Sequence, residues 1–156
     1  MHNHDDNRIA LDLADEHATI ALAHRIAPYL EPGMVIYLHG ELGAGKTTLV
    51  RGILNALGYP GRVKSPTYTL VEQYHAAGLD LHHFDLYRLR DEQEWDAAGF
   101  RHEFDGHKIF LIEWPEKARN LIPPADLEIG LEILLKGRKA RVHANTKIGK
   151  QCLEKL

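Results

Sequence analysis

The chain holds a single cysteine, Cys152, so no disulfide can form within it. It has no apolar run near the roughly 20 residues that a membrane-spanning helix needs. It has no basic excess either. Nineteen Lys and Arg stand against 22 Asp and Glu, for a net charge of −3. That balance argues against a sequence-independent grip on nucleic acid, though not against a role near RNA through a partner. The opening segment, MHNHDDNRIA, is polar and acidic and lacks an apolar signal core. Together these absences lead us to expect a cytoplasmic protein. Internal repeats, low-complexity blocks and a linker are also missing. What remains is an ordinary globular composition, 44% hydrophobic and 26% charged over 156 residues, enough for one core. The expectation is one domain over 1–156, with 1–11 and 145–156 as peripheral tails.

The periodicity sketches the elements. Asp12 can cap a helix, with Asp15 three residues on, and Leu22, Ala23, Ile26 and Leu30 share a face of it. Met34 to Leu38 reads as a short buried strand. Lys46 to Leu57 carries Leu49, Ile53 and Leu57 at spacing four, and Gly58 stands where a helix C-cap belongs. Thr69 to Tyr74 and Leu79 to Leu86 read as a hairpin about an Ala-Ala-Gly turn. Asp91 and Glu94 form a capping-box pattern before a short helix that stops at Gly99. Ile109 to Ile112 is a second buried strand. Asp126 to Leu135 and Lys139 to His143 read as strands joined at Lys136-Gly137, and the last dozen residues carry a weak helical pattern. Buried apolar strands with helices between them predict an α/β fold with a central sheet.

Between the strand MVIYLH and the helix that follows lies GELGAGKTT, Gly40 to Thr48. Gly40-x-x-x-x-Gly45-Lys46-Thr47 matches the Walker A pattern. Glycines let the backbone curl so that successive N–H groups face phosphate oxygens, and the helix N-terminus favours the same anion. Lys46 is expected to reach the β- and γ-phosphates, and the Thr47 hydroxyl to ligate Mg²⁺. The strand KIFLIEW ends on Glu113, which has the Walker B shape with Glu in place of the commoner Asp. Glu113 is the candidate for magnesium or for positioning water. The plainer alternative is a solvated acid at a strand end.

Two further segments are less specific. SPTYTL, Ser65 to Leu70, falls where switch segments occur in P-loop enzymes, and Ser65 and Thr67 offer hydroxyls. It could equally be a turn entering a strand. In HFDLYR, period two puts His83, Asp85 and Tyr87 on one face of a strand. That is either a candidate for positioning a nucleophile or metal-bound water, or a polar strand face. The chain has 11 histidines. His2 and His4 lie in the polar opening segment. His82 and His83 are adjacent, so on a strand they point to opposite faces and cannot share one ion.

Taken together, GELGAGKTT, SPTYTLVEQY, HFDLYRL and LIEWPEKA closely resemble the bacterial TsaE (YjeE) family of small P-loop ATPases, from about Asp12 to His143. The resemblance implies a P-loop NTPase-like three-layer domain with a central mixed β-sheet and a β-hairpin insertion. It implies an ATP-binding and -hydrolysing subunit needed for threonylcarbamoyladenosine on tRNAs that read ANN codons. Such a subunit acts with a TsaB–TsaD heterodimer, meets tRNA only through that complex, and supports turnover rather than performing the transfer. Low intrinsic Mg²⁺-dependent ATPase activity is expected. Carried over by residue, Gly40, Glu41, Leu42, Gly43, Ala44, Gly45, Lys46, Thr47 and Thr48 form the phosphate loop, Gly43 to Thr48 being its cradle. Thr47 and Glu113 hold Mg²⁺, Thr67 is a γ-phosphate sensor, and Asp85 is a catalytic carboxylate. Glu16, Gly137 and Arg138 surround the adenine. Trp114 belongs to the EWPE signature, for packing near the nucleotide or for partner contact.

The best rival is a small-molecule P-loop kinase, which uses the same cradle. Such kinases carry an arginine-rich lid, and here Arg101 and Arg119 are scattered candidates with no cluster. A GTPase is weaker, because no Asn-Lys-x-Asp segment is present to read guanine.

Overall fold

The computed structural model describes residues 6–66 and 68–156. Seven strands form one sheet: β1 (Arg8–Leu13), β2 (Val35–His39), β3 (Val71–Ala76), β4 (Leu79–Asp85), β5 (Ile109–Glu113), β6 (Leu127–Ile133) and β7 (Arg138–Ala144). Their spatial order is β1-β7-β6-β2-β5-β4-β3. The centre is parallel, with β2 between β5 and β6 and β4 beside β5. The edges are antiparallel, through β1 with β7, β6 with β7, and β3 with β4. This is the mixed-sheet α/β architecture that the motif order suggests. The β3–β4 hairpin turns at Ala77 and Gly78, both at positive φ, as a tight two-residue connection requires.

Helices α1 (Glu16–Ile26), α2 (Lys46–Ala56) and α4 (Lys147–Leu153) contribute to one core with the sheet. Period two sorts the strands: Ile36, Leu38, Leu81, Ile109 and Leu111 face this side, towards α2. The opposite face of β4 and β5 is covered by α3 (Glu92–Ala97) and the 3₁₀ turns Phe100–Glu103 and Pro115–Ala118. Its centre is aromatic. Trp95, fully buried, meets Phe84, Phe100 and Phe104 at ring centroid distances of 5.6, 4.9 and 5.9 Å, and Phe104 meets Phe110 at 4.3 Å. Aromatic pairs at such distances add to the area they bury. The two helical layers on either side of the sheet give three layers.

Two local expectations are corrected. The helix expected from Asp12 starts later: Asp12 lies in β1, and Asp15 is the N-cap, accepting a hydrogen bond from the Ala18 N–H at 3.0 Å. The segment RIALDL is an edge strand because β7 supplies a ladder for all six of its residues. The segment 145–156, expected as a peripheral tail with a weak helical pattern, does form a helix and is packed into the core rather than peripheral to it. Thr146 caps α4, and Cys152 and Leu153 are buried in the main core. Only seven residues are helical there, and the helix is held by packing rather than by propensity. Elsewhere the expected elements appear within a few residues of their sequence bounds. The Asp91 cap is made as expected, from the Glu94 N–H to Asp91 at 2.9 Å. No helix among the described residues is long and apolar enough to cross a membrane.

Candidate functional site

Three parallel strands, β4, β2 and β5, end at one edge of the sheet, and in such sheets ligands gather outside the carboxyl ends of the strands. β2 runs into the loop Gly40 to Gly45, and Gly45, at φ 112°, is the N-cap of α2. That left-handed backbone suits glycine and lets the chain close tightly into the helix. Gly40, at φ 146°, is held against the Leu131 carbonyl of β6, where an added Cβ would stand 2.7 Å from the oxygen.

Lys46 opens α2 and is only 4% exposed. Its ammonium donates to the Gly40 carbonyl at 2.5 Å and lies over the Trp114 ring, 3.9 Å from the centroid. Among the described residues no carboxylate comes within ion-pair distance of it. Burial pulls the Lys46 pKa below the usual lysine value, against the opposing pull of Glu113, Asp85, Glu116 and Glu41. A buried cation without a close counter-ion is costly, and an anion seated in the loop would relieve it.

Glu113 ends β5 and is 3% exposed. Its Oε2 lies 3.5 Å from the Thr47 hydroxyl, which donates to it, and 2.6 Å from His83 Nε2. Asp85 ends β4 and is the register partner of Glu113. Burial raises the Asp85 carboxyl above its ordinary value and Glu113 raises it further, while the Tyr87 N–H, His83 and Lys46 pull it down. Trp114 sits in the left-handed region at φ 59° and meets the Tyr87 ring at 5.0 Å. Leu42, Gly43, Gly45, Lys46, Thr47, Thr48, Ser65, Asp85, Glu113 and Trp114 line one cleft of about 270 Å³.

A second cleft, of about 310 Å³, opens on the other side of the loop. Glu16 and Thr19 of α1, Gly43 to Gly45, Thr48, Gly137 and Arg138 line it, with Ala14 and Asp15. Gly43, Gly45 and Thr48 border both clefts. Arg138 fastens this side: it donates to the carbonyls of Ala44 at 3.2 Å and Gly43 at 3.3 Å.

The sequence-expected positions thus fall into two groups around one loop. Lys46, Thr47, Asp85 and Glu113 meet on the first side, and Glu16, Gly137 and Arg138 on the second. Glu41 and Leu42 sit at the loop tip, where Leu42 is 62% exposed. Thr67 lies outside the described residues, as do His2 and His4. His82 packs edge-on to Phe110 in the aromatic layer while His83 faces α2, so the pair does split across the sheet. Arg101 pairs with Asp96 at 2.8 Å, and Arg119 lines a separate groove with Tyr37 and Ile122. Neither lines the clefts beside the loop.

Sequence reasoning missed three features. The bond from His83 to Glu113 crosses between strands, and its signal was the shared face of HFD. The forked grip of Arg138 on the loop carbonyls and the stacking of Trp114 on Lys46 leave no sequence signal beyond proximity to a motif.

The family model of the threonylcarbamoyl adenosine biosynthesis protein TsaE matches residues 13–141. The Haemophilus influenzae protein named tRNA threonylcarbamoyladenosine biosynthesis protein TsaE is 42% identical over 146 residues, covering 90% of this chain and 92% of the relative. Proteins of the same name from Aquifex aeolicus and Bacillus subtilis are 40% and 39% identical, covering 84% and 71% of this chain and 92% and 69% of each relative. The crystal structure of Bacillus subtilis YdiB superposes with a TM-score of 0.77 at 26% identity, covering 94% of this chain and 92% of that one. A family match over residues 13–141, with identities this high across most of the chain, leaves one assignment: the chain belongs to the TsaE family of threonylcarbamoyl adenosine biosynthesis proteins.

Proposed function

We propose that this chain is the ATP-binding and -hydrolysing subunit of a cytoplasmic system that places threonylcarbamoyladenosine on tRNAs reading ANN codons. It acts with a TsaB–TsaD heterodimer and supports repeated turnover rather than the transfer itself. The observation that carries this reading is Lys46, a buried ammonium at the mouth of a glycine loop with no carboxylate in ion-pair distance among the described residues. That is a site waiting for an anion, and the helix N-terminus behind it adds to the same pull.

The chain's own groups divide the work as follows. Backbone N–H groups of Gly43 to Thr48 cradle the phosphates, and Lys46 leaves the Gly40 carbonyl to bind them. Glu16, Gly137 and Arg138 hold the adenine side. Thr47 and Glu113 suit Mg²⁺: both offer hard oxygen donors, 3.5 Å apart on one cleft wall. When bound there, the ion neutralises charge on the β- and γ-phosphates. Asp85, with its raised pKa, is fitted to orient the attacking water and accept its proton. Thr67 is assigned the γ-phosphate sensor role on the resemblance of SPTYTL to the family's segment.

The test is ATP hydrolysis by the purified chain, alone and with TsaB–TsaD. A weak basal rate that rises with the heterodimer is expected. Lys46→Ala and Glu113→Ala should keep the fold yet lose ATP-dependent stimulation of tRNA modification. A rate indifferent to the heterodimer but dependent on a small acceptor would replace this reading with a kinase.

A further inference from the structure

We propose that His83 is a positioning residue for Glu113: its imidazole donates from Nε2 to Oε2 of the carboxylate and so turns Oε1 towards the cleft. The inference rests on the reading of Glu113 as a nucleotide-site residue, and deepens it.

Burial and hydrogen bonding select the ring's proton. His83 is fully buried, one pleat below Asp85 on the same face of β4. Its neighbours there are Leu81 along the strand and Leu111, its register partner on β5, both fully buried. Nε2 is 2.6 Å from Glu113 Oε2, so a proton lies between them. Nδ1 is buried and has no hydrogen-bond partner among the described residues. The other tautomer, with its proton on Nδ1, would bury an unpaired N–H donor in apolar surroundings and leave Nε2 without a proton to give. The tautomer with its proton on Nε2 makes the observed contact and leaves only a lone pair facing the core.

The carboxylate is fixed as a result. Oε2 accepts from both His83 and Thr47, whereas Oε1 has no hydrogen bond among the described residues. Glu113 is therefore held in one orientation by its Oε2 contacts, with Oε1 uncommitted among the described residues. Without His83 the carboxylate would be free to rotate or to swing towards the ammonium of Lys46. Outer groups that orient a ligand in this way commonly change activity by about 10- to 100-fold when removed.

Nitrogen-15 NMR of the histidine-labelled wild-type chain, in EDTA and without nucleotide, reads the ring directly. His83→Gln serves to assign the signal. The expected result is a slowly exchanging proton on Nε2; a bare Nε2 overturns the proposal. Kinetics with TsaB–TsaD supply the second arm. His83→Leu should lower kcat by about 10- to 100-fold while ATP affinity in EDTA stays unchanged. His83→Gln, which restores a donor at the same reach, should recover most of the rate. A Gln variant as slow as the Leu variant, or an equal loss of ATP affinity in EDTA, makes His83 a structural plug. If the wild type hydrolyses no ATP even with its partners, the ATPase reading fails by itself, and the ring spectrum still decides the His83–Glu113 bond.

Discussion

Asp85 and Glu113 are register partners on adjacent parallel strands, so two carboxylates leave the same edge of the sheet side by side. Burial and the neighbouring charge raise the Asp85 pKa in the folded chain above the ordinary 3.8. A carboxyl that binds its proton more tightly when folded loses stability as pH rises from its unfolded value through its folded one. The cost is therefore absent well below 3.8 and grows as pH rises towards neutrality. Asp85→Asn removes the charge and keeps an oxygen for the Tyr87 N–H. In the metal-free chain it should raise the melting temperature at pH 7 by a few degrees, the scale on which about 1 kcal/mol shows in a chain of this size. The gain should shrink as pH falls and vanish well below 3.8, ATP binding should persist, and hydrolysis should be lost. A lower melting point at neutral pH would mean that the carboxylate stabilises the site.

Lys46 rests on the Trp114 ring, and a phosphate in the loop would draw it away. Mg-ATP should therefore change tryptophan emission. The other tryptophan, Trp95, is fully buried in the aromatic layer and is not expected to respond. Trp114→Phe should abolish the change; a signal that survives in that variant would place the response elsewhere.

Gly137 and Gly43 both stand in the left-handed region, at φ 72° and 82°, so an alanine at either costs about 1–2 kcal/mol in backbone strain. Their surroundings differ. A Cβ on Gly137 would meet the Leu13 carbonyl oxygen at 2.4 Å, whereas one on Gly43 meets nothing within 4 Å. Gly137→Ala should lower the urea midpoint clearly more than Gly43→Ala, and should also weaken ATP binding. Equal midpoints would contradict the close approach of β7 to the end of β1.

Arg138 ties two loop carbonyls from across the second cleft. Arg138→Ala releases both, at about 1 kcal/mol for each net hydrogen bond, and should weaken ATP binding by roughly 5- to 30-fold by calorimetry. Arg138→Lys should recover only part of it, because an ammonium cannot fork to two acceptors as a guanidinium can. Unchanged affinity in the alanine variant would remove Arg138 from the site.

What was legible in the sequence follows from range. The phosphate loop is local: its glycines, Lys46 and Thr47 lie within one turn, and their spacing carries the geometry. The β3–β4 hairpin is equally local, announced by Ala77-Gly78. The edge strand β1 escaped because its partner stands more than 120 residues away, and Asp12 imitates a cap in a window that cannot see β7. Helix α4 shows only as a weak helical pattern because its three buried residues, Gly149, Cys152 and Leu153, are too few to set a clear period. The contact between His83 and Glu113 depends on the β4–β5 register, which pairs His83 with Leu111 and Asp85 with Glu113. Each acid was visible; their adjacency was not.

The pairing of Leu13 with Arg138 also bears on how the chain folds. Asp15 and Glu16, just past β1, form one wall of the second cleft, and Gly137 and Arg138, at the start of β7, form the other. These walls come from opposite ends of the polypeptide, so the pocket is complete only after one of the longest loop closures in the molecule, the slow kind of contact to form. A one-residue slip of β1 would move a wall by about 3.3 Å and turn its side chains to the wrong face. A nucleotide bound there would act as a staple between early and late segments. Protection of the β1 amides from hydrogen exchange would then report the occupancy of a site to which that strand lends only its C-terminal end.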